Sequence, residues 1–550
     1  MRLVYRMRVA EMAGTPTEGA RGRPTRVIVV GAGASGAALA ARLSEDSWRE
    51  VLLLEAGPVP FAHDFPADLV DADTVRGAVP GHLENWSFDA HLTADRPYTI
   101  ARGRILGGST SINGSYFVRA RRADFDAWSA GGNDEWAFER VLPLYRRLEE
   151  DQQFGDTAVH GGSGPMLVSR PPQHSPVVVA FTAATLAAGF SAEPDKNDQG
   201  AAGCGPLPMN VSGTTRWNTG LAYIEPVRSR PNLTVQGDTF VRRVVFEAQQ
   251  AGRASEPRAV GVEVEHKNAV STLYADEIVL SAGSVKTPHL LMLSGIGPVA
   301  ELAAAGVAVV REAPGVGQGF SDHPQIGVDW WPAQGVVDYS AHQSLAVCLN
   351  FCAAGDSEPT DAVGTSGTGG GADLEILPFL KPTHYLLTGE PADEPLTLLV
   401  SLQSGEARGR LGLLSRDPHV NPSIDYDYLS TPGDRAALRE GVRTAVGLLR
   451  SAAFEGVFDR LSVLDDERLG DDDRLDEWML ANLGTALHLS GSAAFGLASD
   501  PTAVLDQYGL VRGVAGLRVA DTSMLPTVPT RGPAATAVLI GELIADIMRR

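Results

Sequence analysis

The sequence has little cysteine: only Cys204, Cys348 and Cys352 occur in 550 residues. Cys348 and Cys352 form a C-x3-C pair, but no second pair accompanies them. Neither a disulfide scaffold nor a zinc site is therefore expected, and we interpret this pair as small core side chains. Thiols without a disulfide framework are typical of a reducing cytoplasm.

Long apolar runs are also missing. No stretch reaches the ~18 consecutive apolar residues that a transmembrane helix needs, so no transmembrane segment is predicted. Residues 1–24 carry five arginines but lack the apolar core of a signal peptide, and we interpret them as a flexible, basic N-terminal arm. The expected location is the cytoplasm, and the basic arm leaves a peripheral position at the inner face of the membrane as an alternative.

Positive charge is the minority charge, with 46 Lys and Arg against 67 Asp and Glu and a net charge of −21. Because an acidic surface repels phosphate backbones, no nucleic-acid partner is expected. The remaining composition is globular, at 44% hydrophobic and 21% charged residues, and the length favours two linked domains. The low-complexity segment 354–372 is predicted to be a mobile insertion.

A dinucleotide-binding pattern lies near the N-terminus. The apolar run 26–30 leads into Gly31, Gly33 and Gly36, then into a helix of small residues, and a second apolar run ends in Glu55. Gly31 permits the tight turn, Gly33 lets the backbone approach a pyrophosphate, and Gly36 lets the helix pack on the strand. Glu55 is placed to accept hydrogen bonds from ribose hydroxyls. The pattern predicts a bound dinucleotide without choosing between NAD and FAD.

Two later segments are also rich in glycine and hydroxyl residues. Residues 103–115 combine Gly, Ser, Thr and Asn, which leaves backbone N–H groups accessible to a phosphate or a ring edge. Residues 277–297 predict a buried strand, a tight glycine turn, and a helix that ends at Ser294 and Gly295. Both segments suit a large cofactor with phosphate groups.

These segments carry a family resemblance. Residues 103–126 and 283–297 resemble the two signature patterns of the glucose–methanol–choline (GMC) oxidoreductases. Residues 314–324 resemble the loop that closes over the flavin, and residues 516–526 resemble the last strand of the family's FAD-binding domain. The resemblance extends from about residue 25 to the C-terminus.

The resemblance implies an α/β fold, α+β overall. A Rossmann-like FAD-binding domain would be assembled from separate pieces, and a substrate-binding domain on an antiparallel sheet would cover the flavin ring. The implied pieces are residues 25–160, 232–320 and 483–550 for the FAD-binding domain, and residues 161–231 and 321–482 for the substrate-binding domain. Short alternating apolar runs within residues 233–280 favour β-structure on their own account.

The resemblance also implies that the cofactor is FAD. In the family, a backbone group near Val241 meets the adenine, and the aspartate corresponding to Asp521 touches the ribityl–phosphate region. The residues expected to contact FAD lie in the glycine-rich turns and at strand ends: Gly31, Gly33, Ser35, Gly36, Glu55, Ala56, Arg104, Gly108, Ser109, Asn113, Gly114, Val241, Ala282, Asp521 and Ala535.

Alcohol oxidation by a flavin needs a base for the hydroxyl proton while a hydride passes to flavin N5. Histidine suits this task because its ordinary pKa lies near ~6.5. His488 lies in a segment that resembles the family's flavin-facing His-x2-Gly-Ser motif, and it is predicted to be the catalytic base. His323 follows an aspartate in a glycine-rich loop, and we interpret it as a capping residue.

The second polar residue of the family's active site is missing. Ala534 occupies the position expected for His or Asn, and neither residue type occurs after His488. Arg531 is the candidate to replace it, either by stabilising negative charge on reduced flavin or by holding a carbonyl group. The alternative is that Arg531 points to solvent or pairs with an acid. Small alcohols are expected to be poor substrates, since binding must come from remote parts of a larger molecule.

Finer features point to one branch of the family. The turn at residues 531–536, together with residues 57–58, 195–197 and 206–210, resembles the mycofactocin-associated GMC oxidoreductases. This resemblance implies oxidation of mycofactocinol, a peptide-derived electron carrier, with electrons passed to an acceptor of the respiratory chain. A choline- or aliphatic-alcohol dehydrogenase or oxidase is the alternative within the family. A non-redox flavin lyase on the same scaffold is the alternative of another class.

Overall fold

The computed structural model describes residues 23–248, 256–353 and 373–550. The predicted insertion 354–372 lies outside the described residues, as does the predicted arm apart from Arg23 and Pro24. At the end of the predicted arm, the guanidinium of Arg23 pairs with Asp276 at 2.5 Å between Nη2 and Oδ1. Both side chains are partly buried in this ion pair, which holds Arg23 against Asp276, and the extent of the arm stays a prediction.

The α-helices of the described residues, in chain order, are α1 (Ala34–Leu43), α2 (Ala67–Val70), α3 (Arg122–Ser129), α4 (Phe138–Leu148), α5 (Pro176–Ala187), α6 (Gly283–Leu293), α7 (Val299–Ala304), α8 (Thr383–Thr388), α9 (Pro432–Leu449), α10 (Asp466–Leu469), α11 (Asp472–Asn482) and α12 (Ala534–Arg549).

The strands of the same residues are β1 (Thr25–Val30), β2 (Arg49–Leu54), β3 (Asn85–Thr93), β4 (Arg96–Gly103), β5 (Glu149–Asp151), β6 (Met166–Val168), β7 (Cys204–Pro206), β8 (Val211–Ser212), β9 (Thr215–Arg216), β10 (Leu233–Gln236), β11 (Thr239–Phe246), β12 (Ala259–His266), β13 (Ala269–Tyr274), β14 (Glu277–Leu280), β15 (Ile296–Gly297), β16 (Arg311–Glu312), β17 (Gln318–Phe320), β18 (Pro324–Pro332), β19 (Val347–Cys352), β20 (Asp373–Pro378), β21 (Leu396–Leu402), β22 (Gly409–Gly412), β23 (Ser423–Asp425), β24 (Phe458–Leu461), β25 (Gly484–Thr485) and β26 (Leu517–Val519).

A parallel five-stranded sheet, in the order β10–β2–β1–β14–β26, carries the dinucleotide-binding pattern. Its central strands are almost wholly apolar and buried, as strands covered on both faces must be. Helices α1 and α12 pack together with their backbones close, since a Cβ on Gly541 would lie 2.2 Å from the carbonyl oxygen of Ser35. The strands of this sheet come from four separate parts of the chain.

An antiparallel sheet, in the order β24–β18–β21–β20–β19–β7 with β25 beside β18, forms the second large layer. Strands β18 and β21 pair from Gln325–Ser401 to Trp330–Leu396. Helix α9 packs against one face of this sheet, where a Cβ on Gly441 would lie 2.7 Å from a methyl of Val400. The other face lines the cavity described below.

A third sheet, in the order β17–β22–β23–β3–β4, includes the long hairpin β3–β4, which is paired from Asn85–Gly103 to Thr93–Arg96.

The predicted α/β fold class, α+β overall, is confirmed by these layers. The predicted domain boundaries stay predictions. Strand β25 lies in a piece predicted for the FAD-binding domain, yet it pairs with β18 of the antiparallel sheet.

Candidate active site

A cavity of about 820 Å³ lies between the parallel and the antiparallel sheet. Residues at the carboxyl ends of β1, β2, β14 and β26 line one side of it. Ligands of open α/β sheets bind at this edge because helix N-termini and loop N–H groups converge there. The hairpin β3–β4 and strands β18 and β21 line the rest, so the cavity has a dinucleotide half and a substrate half.

Two glycine turns meet in the dinucleotide half. Gly31 has φ of +99°, a conformation that L side chains rarely adopt, and its N–H donates to the carbonyl of Leu54 at 2.8 Å. A Cβ on Gly108 would lie 2.7 Å from the Cα of Gly33, so the two backbones touch. A Cβ on Gly33 would meet only the Cα of Gly108, at 3.8 Å, and the space beside it is open. This is the free approach that a pyrophosphate needs at the start of α1.

Glu55 fixes the first turn. Its Oε2 accepts the N–H of Ala32 and its Oε1 accepts the N–H of Gly57, each at 2.9 Å. Burial raises the pKa of Glu55 to about 7, against the opposing effect of these backbone hydrogen bonds. Because each carboxyl oxygen has a second lone pair and Glu55 lines the cavity, it retains the capacity to accept from a ribose hydroxyl.

Asp521 joins the end of β26 to the start of α6. Its Oδ2 accepts the N–H of Gly283 at 2.9 Å and the hydroxyl of Thr287 at 2.6 Å, and its Oδ1 accepts the N–H of Ser523 at 2.9 Å. Burial raises the pKa of Asp521. The side chain lines the cavity, so a bound cofactor would meet a carboxyl group whose position is fixed on both sides.

The structure brings most of the predicted cofactor-binding residues to this cavity: Gly31, Gly33, Ser35, Glu55, Ala56, Gly108, Ser109, Asn113, Gly114, Val241, Ala282 and Asp521 all line it. Three predicted residues are placed behind its wall. A Cβ on Gly36 would lie 2.0 Å from the carbonyl oxygen of Gly31, Arg104 stacks its guanidinium 5.1 Å from the ring centre of Trp86, and Ala535 is buried inside α12. The roles of all these residues toward FAD stay predictions.

The donors of the cavity suit an anionic, ring-bearing cofactor. Nε and Nη2 of Arg102 and the hydroxyl of Ser281 are buried atoms without a hydrogen-bond partner, and both residues line the cavity. Unsatisfied buried donors are costly unless a ligand pairs with them. Together with the open space at Gly33, they fit the phosphate and flavin groups of FAD.

His488 lies in the substrate half, paired with a second histidine. Its Nδ1 is 2.9 Å from Nδ1 of His323, and Nε2 of His323 is 3.1 Å from the carbonyl oxygen of Pro529. A carbonyl only accepts, so neutral His323 must carry its proton on Nε2 and accept at Nδ1. His488 then donates from Nδ1, which leaves its Nε2 as a free proton acceptor.

Both imidazoles are held in their neutral form. Burial lowers the pKa of His488 well below its usual value, and the neighbouring imidazole of His323 and guanidinium of Arg102 act in the same direction. Burial lowers the pKa of His323 to about 4. The accessible edge of His488 faces the cavity, so a neutral base is presented where a substrate would bind.

Asp322 holds the two histidine segments together. Its Oδ1 accepts the backbone N–H of His323 at 2.6 Å and that of His488 at 2.8 Å, and burial raises its pKa to about 6. Ser321 and Ser490 exchange backbone hydrogen bonds at 3.0 and 2.9 Å alongside. His323 does cap a loop carbonyl, as its sequence context indicates, but its contact with His488 was missed. The neighbouring Asp and Pro in a segment resembling the flavin-closing loop were the available signal.

Ala534, the first residue of α12, and Arg531, in the turn before it, lie in different surroundings. Ala534 lines the cavity and adds no polar group to it. Arg531 is buried, its Nη2 lies 3.3 Å from Oε1 of Glu193, and it is not among the described residues that line the cavity. Tyr116, which does line the cavity, is close enough for the two to interact electrostatically. The catalytic role of Arg531 stays a prediction, and the geometry favours the alternative in which it pairs with an acid.

Comparison with known proteins assigns the family. The N- and C-terminal family models described as GMC oxidoreductase match residues 25–325 and 405–541. The chain belongs to the GMC oxidoreductase family. It is an FAD-dependent oxidoreductase of the type that acts on alcohol donors, as the sequence predicts. Membership of the mycofactocin-associated branch of the GMC family stays a prediction.

The GMC relatives cover nearly the whole chain. An uncharacterized GMC-type oxidoreductase in the thcA 5' region of Rhodococcus erythropolis is 39% identical over 526 residues, which is 95% of this chain and 97% of that protein. An oxygen-dependent choline dehydrogenase of Brucella ovis is 31% identical, with 94% of each chain covered. The crystal structure of pyridoxine 4-oxidase from Mesorbium loti superposes with a TM-score of 0.83 at 25% identity, covering 95% of this chain and 98% of that one.

In the described part of the chain, no helix combines the length and the apolar character needed to cross a membrane.

Proposed function

We propose that this GMC oxidoreductase oxidises a CH–OH group by hydride transfer to FAD, with His488 as the base. The observation that supports this most directly is the His323–His488 pair, whose hydrogen bonds leave Nε2 of a neutral imidazole free in the cavity. Such a group removes a hydroxyl proton without first having to lose one of its own.

Each residue near His488 has a defined task in this proposal. Bound FAD would supply the acceptor for the hydride that leaves the carbinol carbon. His488 takes the hydroxyl proton at Nε2, and its Nδ1–H bond to His323 strengthens as the imidazole gains charge. Gly532 leaves the space in front of the ring free, because a Cβ there would lie only 3.6 Å from Cε1 of His488. Asp322 keeps both histidines in register through their backbones.

We further propose mycofactocinol as the substrate, oxidised in the cytoplasm or at the inner face of the membrane, with a respiratory-chain component as the electron acceptor. Two observations support this: the turn at residues 531–536 resembles the mycofactocin-associated branch, and Ala534 is apolar. Both favour a substrate whose binding contacts lie away from its reacting carbon. Oxidation of choline or an aliphatic alcohol is the second candidate, which the 31% identity to choline dehydrogenases favours.

Anaerobic mixing of the FAD-loaded enzyme with mycofactocinol, choline and aliphatic alcohols tests these proposals. We expect mycofactocinol to bleach the flavin absorbance rapidly, and choline and short alcohols to do so slowly. Fast, saturable bleaching by choline would assign the second candidate instead. A substrate that is consumed while the flavin stays oxidised would identify a non-redox lyase.

The base is tested by His488→Ala. Loss of a positioned general base slows flavin reduction by roughly 10²–10⁴-fold. Bound FAD is expected to stay at the parent level, because the ring lines the cavity without closing it, and thermal stability is expected to fall modestly, because Nδ1 of buried His323 loses its donor. His63→Ala is the matched control, since the side chain of His63 is 78% exposed. Parent reduction rates in His488→Ala would place the base elsewhere.

A further inference from the structure

The substrate half of the cavity has the shape of a groove along one strand. Gln325, Gly327 and Asp329 alternate along β18 and all line the cavity, so they share one face of the sheet. Their partners on β21 continue this face, with Leu399 opposite Gly327 and Thr397 opposite Asp329. Gln325 lies nearest the histidine pair, and Asp329 lies about 13 Å farther along the strand, at ~3.3 Å per residue.

Gly327 keeps the middle of this groove open. A Cβ at this position would lie 3.2 Å from a methyl carbon of Thr397 and 3.5 Å from Oδ1 of Asp329. The wall contributed by α8 and its neighbourhood is mainly apolar, with Leu386, Leu387 and Phe379 lining it. Although Gln325, Thr383 and Thr397 also line it, the groove offers a mainly apolar path from the histidine pair to Asp329.

Asp329 is the only carboxyl group that lines this half among the described residues, because Glu55 and Asp521 belong to the dinucleotide half. It accepts the hydroxyl of Thr397 at 2.7 Å, and no ion pair within the described chain neutralises it. Its second oxygen and the remaining lone pairs have room for a donor from a ligand. A charged acceptor at the end of an apolar path selects for a hydrogen-bond donor at that distance.

We propose that Asp329 is a specificity-determining residue that binds a hydrogen-bond donor, a hydroxyl or an ammonium group, at the far end of an extended substrate whose reacting CH–OH lies at His488. The proposal rests on the alcohol-oxidising function and narrows its substrate class to long molecules with an apolar middle and a donor at each end. A short alcohol reaches the histidines but leaves Asp329 without a ligand.

The experiment compares three series of increasing length: n-alkan-1-ols, α,ω-diols and ω-amino-alkan-1-ols, each mixed anaerobically with the holoenzyme. We expect the Kd for flavin reduction to fall sharply for diols and amino alcohols once the chain spans the groove, with little change in the limiting rate. Asp329→Asn keeps an acceptor but loses the charge. It should therefore raise the Kd of long amino alcohols about 10-fold or more and that of diols by less. Asp329→Ala should weaken the binding of both diols and amino alcohols and leave the Kd of n-alkanols unchanged.

Two variants separate a local effect from a general one. Gly327→Ala should weaken the binding of long substrates and leave that of short ones unchanged, because the added methyl narrows the groove without reaching the histidines. Asp393→Asn is the control, since this exposed acid is not among the residues lining the cavity. Length-independent affinities, or equal affinities in Asp329→Asn and the parent enzyme, would overturn the proposal.

A binding readout keeps this inference apart from the catalytic one. Long ω-amino-alkanes without a hydroxyl group are titrated against the oxidised holoenzyme, and the flavin spectrum reports their occupancy. Binding that weakens in Asp329→Asn supports the proposal even if no alcohol in the panel reduces the flavin, an outcome that would reject the alcohol-oxidising function alone. Equal affinity in Asp329→Asn and the parent enzyme would reject the role of Asp329.

Discussion

At the scale of single residues, the chemistry depends on which nitrogen of each imidazole carries the proton. The carbonyl of Pro529 fixes the proton of His323 on Nε2, and His323 in turn orients His488. This chain of acceptors replaces the carboxylate that often orients a catalytic histidine. A carboxylate at His323 would raise the pKa of His488, whereas the neutral, buried histidine keeps it low.

The pH dependence of flavin reduction follows from this pair. Because the pKa of His488 lies well below its usual value, the neutral base persists under mildly acidic conditions. We expect kcat/KM for reduction to stay level as the pH falls through ~6.5, the ordinary histidine pKa, and to decline only below it. Stopped-flow reduction across this range checks this, with FAD content and folding followed in parallel. A decline centred at or above the ordinary value would contradict the neutral pair.

Sequence reasoning found single site residues where the signal is local. Glycine spacing placed Gly31 and Gly33, and a short motif placed His488. It missed the contact of His488 with His323, because these residues are 165 positions apart and neither segment encodes the other's position. Arg531 and Glu193 are 338 positions apart, and only the fold shows that they form an ion pair.

At the scale of elements, the start of α1 gives its glycines opposite tasks. Gly33 faces open space beside Gly108, whereas Gly36 faces the carbonyl oxygen of Gly31. One glycine leaves room for a ligand, and the other lets the helix approach its own turn. The spacing of the turn is a local property, so the sequence pattern could predict a close helix approach at Gly36, whereas the role of Gly33 toward a pyrophosphate stays a prediction.

A pair of valine substitutions separates these tasks. Gly33→Val should fold but purify without FAD, because a Cβ there meets no protein atom closer than 3.8 Å and the side chain would fill the approach to the cofactor. Gly36→Val should unfold more readily, by about 1–3 kcal/mol or more, because its Cβ would lie 2.0 Å from a backbone oxygen. Flavin absorbance and urea unfolding of the apo forms measure the two effects. A yellow Gly33→Val protein, or an undisturbed Gly36→Val, would refute the assignment.

The elements themselves were partly accessible from the sequence. The runs within residues 233–280 form strands β10 to β14, and the predicted helix ends at Leu293, directly before Ser294 and Gly295. The two residues of β25 gave no such signal. A strand this short is defined by its partner β18, and pairing across the fold is not written in local periodicity.

At the scale of the whole molecule, a buried ionic cluster ties distant segments together. His160 places Nδ1 2.7 Å from Glu149 and Nε2 2.8 Å from Asp195. Three carboxylates and three basic side chains make up the cluster: Glu149, Asp151, Asp195, Arg119, Arg170 and His160. Although Glu149, Asp151 and His160 are close enough together to hold a metal ion, the two guanidinium groups already balance their charge.

This cluster makes folding stability depend on pH. Burial opposes the charge on His160, but the hydrogen bonds to Asp195 and Glu149 prevail and raise its pKa to about 9. A pKa raised above the unfolded value of ~6.5 adds stability in full below that pH, and the stability is lost as the pH rises through about 9.

Thermal unfolding between pH 6 and pH 9.5 tests this contribution. His160→Gln should lower stability at pH 6 by about 3–5 kcal/mol, because it leaves buried carboxylates underpaired, and should flatten the pH dependence. His63→Gln, at an exposed site, should match the parent. An unaltered pH profile in His160→Gln would remove the cluster from this role.

The parallel sheet is completed by β26, which is separated from β2 by more than 450 residues of chain. At ~5–20 residues per second, a ribosome needs tens of seconds to supply this strand after the Gly31 turn has emerged. During that interval the apolar face of α1 and, once it has been made, the edge of β14 lack their final cover, and they are natural targets for chaperones. The nascent chain also lacks Asp521 and the Ala534 turn, so a complete binding cavity, and with it FAD loading, belongs to the last stage of synthesis.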